Sequence, residues 1–432
     1  MELFEFSVKN VPVIAKVKVL VAGSGPAGIS AAVASVRNGA DTLLVEQNGC
    51  LGGALSSVNV QSYSFSINKN PEVLSGIPLE IDKRVRAYGA FMPDYRGSGI
   101  FVDSELYKCM LDEWMDECGV RVLLHTRIIG AYVVDGVLKG VYCHNKSGIG
   151  IILADCTVDA TGDGDVAYLA GAEFDMRPKE KLQPVTVVFG ISGVDTELFE
   201  RHIKAHPDSD DASYGFRPVF KRAAEAGDWT YPKRGGAWKS LTHSGDIKSL
   251  NLTMMCRIDA TDGFDVSKAE AEGRRQAKKI VEIFNKHGKD IGLGRCGIRS
   301  FAASLGVRET RRIRCDYTVT VNDILEKREF DDGIGRVICF IDSFGKIQKP
   351  QTGETFSLPY RALIPKGISG LLVAGRCISS DEEAYGAARL MVCCAITGEA
   401  AGTAAAICKD GDTHGPDVTV LREKLKNNGV VL

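Results

Sequence analysis

The feature that most constrains this chain is a glycine-rich turn between an apolar run and a helical pattern near the N-terminus. Residues 18–22 (KVLVA) are almost continuously apolar, as in a strand buried on both faces of a parallel sheet. The turn GSGPAG follows at 23–28, and a second apolar run at 42–45 ends at Glu46. A strand, a glycine turn, a helix and a second strand ending in an acid predict a nucleotide-binding unit.

Each glycine of this turn has its own expected role. Gly23 permits the tight backbone, Gly25 lets a pyrophosphate approach where a Cβ would otherwise stand, and Gly28 lets the helix sit close to the strand. Pro26 and Ala27 begin the helix. The unpaired N–H groups of its first turn would therefore face the phosphates.

The residues after the second strand distinguish NAD from FAD. Glu46 lies 18 positions after Gly28 (46 minus 28), close to the ~20 expected of an acid that accepts ribose hydroxyls. Its charge argues against a 2′-phosphate there, because two negative charges would face each other. A second glycine pair, Gly52 and Gly53, follows in QNGCLGGAL. This pair resembles the segment of glutathione-reductase-like flavoproteins that passes along the FAD pyrophosphate, so it implies FAD.

Two further blocks carry the same resemblance, in the expected order along the chain. Residues 158–172 (VDATGDGDVAYLAGA) resemble the ATG motif near the adenosine half of FAD, which assigns Ala160, Thr161 and Gly162 to the cofactor site. Residues 370–407 resemble the C-terminal flavin strand and the helix after it. The chain is therefore identified as a member of the FAD-dependent oxidoreductase family, and it resembles the succinate dehydrogenase and fumarate reductase branch.

The resemblance implies an α/β fold. A Rossmann-like FAD-binding domain, with a parallel sheet and helices on both faces, would be interleaved with a smaller α+β substrate domain. The predicted order is the first part of the FAD-binding domain at 1–175, the substrate domain at 176–300, and a return segment with the rest of the FAD-binding domain at 301–432. The middle segment reads as strands around QPVTVVFGISGVD and KSLNLTMMCRID and a long helix, KAEAEGRRQAKKIVEIFNKHG.

The C-terminal block reads as a buried strand and a long helix. Residues 371–374 are apolar, as expected of the last parallel strand. Residues 379–383 would cap and start a helix over 384–407, whose glycines indicate close packing. In the family this helix points its N-terminus at the flavin pyrimidine. The residues assigned to the FAD site here are Gly375, Arg376, Ala384 and Ala388.

Several residues are candidates for binding substrate and moving one proton beside the flavin. Arg308 and Arg311 fall in VRETRR, a block that in the family returns toward the active site, so either could bind an anionic or carbonyl oxygen. Pairing with nearby carboxylates is the alternative. His243 is the candidate acid or base, and a surface-loop position is its alternative. Arg389 lies one helical turn after Tyr385, so both are expected on the flavin-facing side.

Composition and charge argue against several other classes. The net charge of −2 and the pI near 6.4 give no reason to expect nucleic acid or an acidic membrane surface as a partner. The odd number of cysteines, 13, argues against a disulfide framework and for a reducing, cytoplasmic compartment. No C-x-x-C pair offers a metal-ligand spacing, and no signal peptide or apolar run of ~18 residues is evident.

Together these features predict an FAD-dependent oxidoreductase that moves a hydride between flavin N5 and a small organic substrate, at a C–C or C–O bond. No histidine adjoins Gly52 and Gly53 to resemble the covalent flavin site of succinate dehydrogenase, so noncovalent FAD is expected. Monooxygenation is the enzymatic alternative, and a binding protein that has lost its flavin is the non-catalytic one. No second GxGxxG unit is evident, which favours an external electron donor or acceptor; an oligomer is compatible with the sequence.

Overall fold

The computed structural model of the protein describes residues 9–65, 74–92, 99–205, 216–229, 237–241, 244–343, 346–348, 354–409, 411–414 and 416–432. Within these ranges strands and helices are interspersed along the chain. The strands are β1 (Val13–Ala22), β2 (Thr42–Val45), β3 (Ser62–Phe65), β4 (Phe91–Met92), β5 (Gly99–Val102), β6 (Arg121–Leu123), β7 (Arg127–Val134), β8 (Val137–Asn145), β9 (Gly148–Asp159), β10 (Phe174–Asp175), β11 (Phe189–Ser192), β12 (Ala237–Leu241), β13 (Ile247–Asn251), β14 (Gly297–Phe301), β15 (Arg312–Ile313), β16 (Gly333–Ile338), β17 (Ile341–Ser343), β18 (Lys346–Gln348), β19 (Thr355–Pro359) and β20 (Leu371–Val373). The α-helices are α1 (Pro26–Arg37), α2 (Gly76–Ala87), α3 (Ser104–Cys118), α4 (Asp165–Leu169), α5 (Thr196–Ala205), α6 (Arg217–Glu225), α7 (Gly263–His287), α8 (Val321–Leu325), α9 (Tyr385–Ala388), α10 (Met391–Ile407) and α11 (Val418–Asn427).

The largest sheet has seven strands, in the order β6-β2-β1-β9-β8-β7 with β20 beside β9. β1 runs parallel to β2, with Val19 opposite Thr42, and parallel to β9, with Val21 opposite Val158. The pairs β2 with β6 and β9 with β20 are also parallel. This parallel core, whose strands are apolar and buried as predicted, confirms the α/β fold class.

One edge of this sheet is antiparallel, which the sequence did not indicate. β7 and β8 are joined by Asp135 and Gly136, whose φ angles are 49° and 76°. Two consecutive residues of positive φ suit a two-residue hairpin. β8 then pairs antiparallel with β9, so the hairpin extends the parallel core sideways.

Helix α10 packs against α1 through small residues. A Cβ added at Gly402 would lie 2.1 Å from the carbonyl oxygen of Ala31, so only glycine allows the observed approach. Nearly all of α10 is buried. The close packing predicted from its glycines is confirmed, and the partner surface is α1.

The prediction of one continuous helix over 384–407 is wrong. The chain leaves α9 at Arg389, and Leu390 is extended (φ −63°, ψ 141°) before α10 begins at Met391. Arg389 is held by hydrogen bonds to β17, a tertiary contact that overrides local helix propensity. Asp381 accepts two backbone N–H groups at the start of α9. The predicted cap therefore serves the short helix, and the long helix has its own N-terminus at Met391.

A second, antiparallel sheet has the order β12-β13-β11-β14. Helix α7, predicted from the sequence, begins after Asp262, whose side chain accepts the N–H groups of Phe264 and Asp265. The α-helices α5, α6 and α7 share with this sheet a hydrophobic cluster separate from that of the large sheet, which includes Phe189 and Phe284. This is an α+β unit, as expected for the middle segment. The boundaries 1–175, 176–300 and 301–432 stay a proposal.

Hydrogen bonds join the second sheet to the loop after β2. The side chain of Asn59 donates to the carbonyl of Lys248 at 2.8 Å, and the hydroxyl of Ser249 donates to the carbonyl of Asn59 at 2.8 Å. The N–H of Ser304 donates to the carbonyl of Ser57 at 3.0 Å. The two sheets are therefore fixed on either side of a shared cavity.

Candidate cofactor and active site

A cavity of ≈ 880 Å³ extends from the large sheet to the second sheet. It is lined at the carboxyl ends of β1, β2, β9 and β20, the place where open parallel sheets bind ligands. We call the part around Gly25 and Glu46 the nucleotide end. The part around Asn251 and Arg308, which β13 and the return segment provide, is the second-sheet end.

The glycine turn has the geometry of a phosphate cradle. Gly23 has φ of 90°, and a Cβ there would lie 2.6 Å from the carbonyl oxygen of Ala160. A Cβ at Gly28 would lie 1.8 Å from the oxygen of Gly23, so glycine at this position allows the close contact between α1 and the turn. A Cβ at Gly25 would meet nothing within 4 Å. The backbone at Gly25 thus borders open space at the N-terminus of α1, where N–H groups bind phosphate.

Glu46 lies at the end of β2 with both carboxylate oxygens occupied. One oxygen accepts the N–H and hydroxyl of Ser24, at 2.9 and 2.6 Å. The other accepts the N–H and side-chain amide of Asn48, at 2.8 and 2.9 Å. This fixes the orientation of Glu46 beside the turn. Ribose hydroxyls would replace one of these donors, since a carboxylate accepts about four hydrogen bonds.

Arg376 is a partly buried cation just after β20 that lines the cavity. Its guanidinium lies 2.8 Å from Asp163 Oδ1. Burial lowers its pKa, but the charge of Asp163 raises the pKa above the usual value. Its Nη1 has no hydrogen-bond acceptor among the described residues. Burying an N–H group without an acceptor costs free energy. We therefore expect a ligand in the cavity to supply an acceptor for this atom.

Asp163 accepts hydrogen bonds from two residues of the return segment. The hydroxyl of Thr310 donates to its carboxylate at 2.5 Å, and Arg311 donates to its carbonyl at 3.0 Å. Arg311 also pairs with Asp165 at 2.9 Å and lies over the ring of Tyr168. Arg311 therefore lines the cavity as part of an ion-pair network, the alternative that the sequence left open.

The second-sheet end is built around Arg308. Its Nη1 donates to the carbonyl of Pro184 at 2.7 Å, and its Nη2 lies 3.5 Å from Asn251 Oδ1. The hydroxyl of Tyr385 donates to the main-chain carbonyl of Arg308 at 2.9 Å. The side chain and the main chain of Arg308 are thus both anchored at the cavity wall.

Arg389 lines the cavity close to the start of α10. It donates to the backbone oxygen of Asp342 at 2.6 Å and to its carboxylate at 2.9 Å. Cys393 and Cys394, in the first turn of α10, also line the cavity. Burial raises the pKa of Cys394 to about 12, so this thiol stays protonated near neutral pH.

Most of the predicted site residues line this cavity, but five do not. Gly28 and Gly52 shape the backbone behind it. Ala384, which precedes α9, and Tyr385 and Ala388 within α9 are buried and do not border it, and the break at Leu390 separates them from the long helix. His243 lies outside the described residues. The predicted residues that line the cavity are Gly23, Gly25, Pro26, Ala27, Glu46, Gly53, Ala160, Thr161, Gly162, Arg308, Arg311, Gly375, Arg376 and Arg389.

Sequence reasoning missed several polar residues of the cavity, among them Ser24, Asn48, Thr186 and Asn251. Ser24 lies in the glycine turn, and Asn48 lies two residues after Glu46. Their positions in the predicted motif could have identified them. Thr186 and Asn251 lie in segments read only as strands. No local pattern distinguishes these two from other strand residues.

A family model described as FAD dependent oxidoreductase matches residues 18–427. The chain belongs to this family. A thiamine thiazole synthase from Aeropyrum pernix is 30% identical over 180 residues, which are 39% of this chain and 63% of the relative. The matched region thus spans less than two thirds of that relative.

Two of the solved structures that resemble the chain do so at low identity. One is a geranylgeranyl bacteriochlorophyll reductase-like protein from Thermoplasma acidophilum, with a TM-score of 0.47 and 13% identity over 96% of this chain and 83% of that one. Another is the myxobacterial chondrochloren halogenase, with a TM-score of 0.49 and 14% identity over 95% of this chain and 78% of that one.

This FAD-dependent oxidoreductase is an enzyme, and FAD is its cofactor. The residues fit that cofactor. The open space beside Gly25, the fixed carboxylate of Glu46 and the unpartnered Nη1 of Arg376 offer sites for a pyrophosphate, a ribose and a further acceptor.

Proposed function

We propose that this enzyme transfers a hydride between flavin N5 and a small organic substrate, with oxidation or reduction at a C–C or C–O bond. The observation that carries the proposal is the single cavity that joins the turn at Gly25 to Arg308 and Asn251. FAD supplies the redox chemistry when bound. The second-sheet end offers room and hydrogen-bond donors for a substrate beside it.

In this proposal Arg308 binds an oxygen of the substrate. A guanidinium presents several N–H groups in a fixed plane. Here one of them is held by Pro184, and the backbone of Arg308 is held by Tyr385. Holding the group in place before substrate arrives reduces the entropy lost on binding. Tyr385, which does not border the cavity, is then a positioning residue.

The other candidates take different roles. Arg311 and Arg389 are each paired with a carboxylate, Asp165 and Asp342 respectively, so we assign them to shaping the cavity. His243 remains our proposed proton donor or acceptor. The pH dependence of the rate of flavin reduction, measured once a substrate is known, would test this role of His243.

Several finer features are also proposed, chiefly from the sequence. These are the succinate dehydrogenase and fumarate reductase branch, an external electron donor or acceptor, a cytoplasmic location and noncovalent FAD. Cys50, beside the second glycine pair, does not line the cavity and lies 3.4 Å from the hydroxyl of Ser57. This placement supports noncovalent FAD. Among the described helices, none is long and apolar enough to cross a bilayer.

The first test is the visible spectrum of the purified protein before and after heat denaturation and filtration. Yellow protein that releases FAD into the filtrate is expected. Anaerobic addition of candidate substrates should then bleach the flavin band of wild type and bleach it more slowly in Arg308→Gln. A protein that binds no FAD, or a reduced flavin that reacts rapidly with oxygen only when substrate is present, would contradict hydride transfer as the function. The latter result would identify a monooxygenase.

A further inference from the structure

Three large apolar side chains are exposed where they line the cavity, outside the residues assigned so far. Ile129 of β7 and Tyr168 and Leu169 of α4 border the cavity, with exposed fractions of 43%, 49% and 36%. Helix α4 packs beside β7, so the three residues belong to one wall. Contiguous apolar side chains that stay exposed beside a cavity indicate a surface that a ligand covers.

The ring of Tyr168 is held in place by its neighbours. The guanidinium of Arg311 lies 4.2 Å from the ring centroid, and Phe174 packs edge-on with the two centroids 5.8 Å apart. Arg311 is itself fixed by Asp165 at 2.9 Å and by the carbonyl of Asp163 at 3.0 Å. Tyr168 is nevertheless half exposed. A planar ligand can therefore stack on the part of the ring that Arg311 and Phe174 leave uncovered.

This wall begins beside the acid that we expect to bind the ribose of FAD. Thr126 donates its N–H to the carbonyl of Glu46 at 2.9 Å, and β7 starts at the next residue, Arg127. Residues 126–129 all line the cavity, and Tyr168 lines it from the neighbouring helix. Adenine is attached to this ribose in FAD. An aromatic surface on this wall is thus placed to receive the base.

We infer that the adenine ring of FAD stacks on Tyr168, and that Ile129 and Leu169 pack against the same base. Stacking uses the π-face that every base has, and binding buries the apolar surface that is otherwise exposed. Arg311 is a positioning residue for this contact, because it holds the ring of Tyr168. The inference concerns the adenosine half of the cofactor and does not depend on which reaction the flavin performs.

The affinity of the holoenzyme for FAD tests the contact. The holoenzyme is diluted, and release of the cofactor is followed through the fluorescence of free flavin. Tyr168→Ala should weaken FAD binding by about 5- to 150-fold, the range that stacking of a base on an aromatic side chain contributes. Tyr168→Phe keeps the ring and should bind FAD as tightly as wild type. Tyr168→Leu keeps apolar volume without a ring and should also bind FAD more weakly, so it replaces the alanine variant if that protein does not fold.

Two comparisons assign the effect to the base. Tyr132→Ala removes another exposed ring of β7, which packs against Tyr142 and does not line the cavity, and it should leave FAD affinity unchanged. The absorption spectrum of bound flavin should be the same in wild type and in the Tyr168 variants at saturating FAD, because the base lies at the other end of the cofactor. Wild-type affinity in folded Tyr168→Ala or Tyr168→Leu would overturn the inference. A shifted flavin spectrum in these variants would also overturn it, since it would place Tyr168 beside the isoalloxazine.

Discussion

Gly398 of α10 lies against the backbone of Ala27 in the first turn of α1, so closely that a Cβ at Gly398 would stand 2.0 Å from the carbonyl oxygen of Ala27. The same contact recurs one turn further along, between Gly402 and Ala31. Because Ala27 belongs to the glycine turn that we propose binds the FAD pyrophosphate, this contact couples the long C-terminal helix to the proposed FAD site. The two helices cannot approach in this way if either glycine carries a side chain.

Gly398→Ala should therefore impair both stability and FAD binding. The added methyl must push α10 away from α1, and overpacking of this kind costs ~1–3 kcal/mol or more. We expect a lower thermal midpoint and a reduced FAD content after purification. Gly263→Ala is the matched control, since a Cβ at that helical position meets nothing within 4 Å. Equal midpoints for the two variants would show that α10 can shift without cost.

Arg376→Gln should weaken FAD binding. The unpartnered Nη1 of Arg376 is expected to donate to the cofactor, and a hydrogen bond to a charged group contributes ~1.5–3 kcal/mol, or about 10- to 150-fold in affinity. Titration of apoprotein with FAD, followed by flavin fluorescence, measures this directly. Arg314→Gln removes an exposed arginine outside the cavity and should leave the affinity unchanged. Wild-type affinity in a folded Arg376→Gln protein would place that arginine outside the FAD contacts.

The local features of the fold were predictable from the sequence, because they depend on neighbours in the chain. The strand before Gly23, the turn and the acid Glu46 are set within about one βαβ unit. The extended residue Leu390 was not predictable, because Arg389 leaves the helical path for a contact with Asp342, which lies 47 residues away.

The polar residues of the second-sheet end could not be predicted from the sequence for the same reason. Asn251 and Arg308 are 57 residues apart, and they meet only because the second sheet folds back over the cavity. A strand residue gives no sign of the partner that faces it across such a distance. Sequence patterns therefore predicted the residues of the nucleotide end, which lie close together in the chain. They predicted only some of the residues at the second-sheet end.

Glu399 should make stability depend on pH. It is buried on α10, where one carboxylate oxygen accepts the N–H of Ile77 at 2.8 Å and the other has no described partner. Burial raises its pKa to about 8, from a usual 4.5, while Ile77 and Arg37 lower it and Glu80 raises it. The folded state therefore holds the proton more tightly than the unfolded state. Its contribution to stability is full below pH 4.5 and is lost as the pH rises through about 8.

Glu399→Gln tests this dependence, because the amide stays neutral and still offers an oxygen to Ile77. The thermal midpoint of the variant relative to wild type should rise between pH 6 and pH 9. Glu105→Gln, at an exposed position on α3, should show no such trend. A constant difference between variant and wild type across this range would mean that Glu399 does not change its protonation on unfolding.

Tyr385→Phe should weaken binding at the second-sheet end while sparing FAD. Burial raises the pKa of Tyr385, so the hydroxyl remains a donor to the carbonyl of Arg308 at neutral pH. Its loss leaves that carbonyl without this donor, and a neutral hydrogen bond contributes ~0.5–1.5 kcal/mol, or about 2- to 12-fold in affinity. Titrations of the holoenzyme with small organic ligands, followed through the absorption spectrum of the oxidised flavin, should show this weakening at unchanged FAD affinity. Tyr88→Phe, which removes an exposed hydroxyl bonded to Glu113, should match wild type. If FAD affinity fell instead, Tyr385 would support the cofactor site, and its role in positioning Arg308 would be refuted.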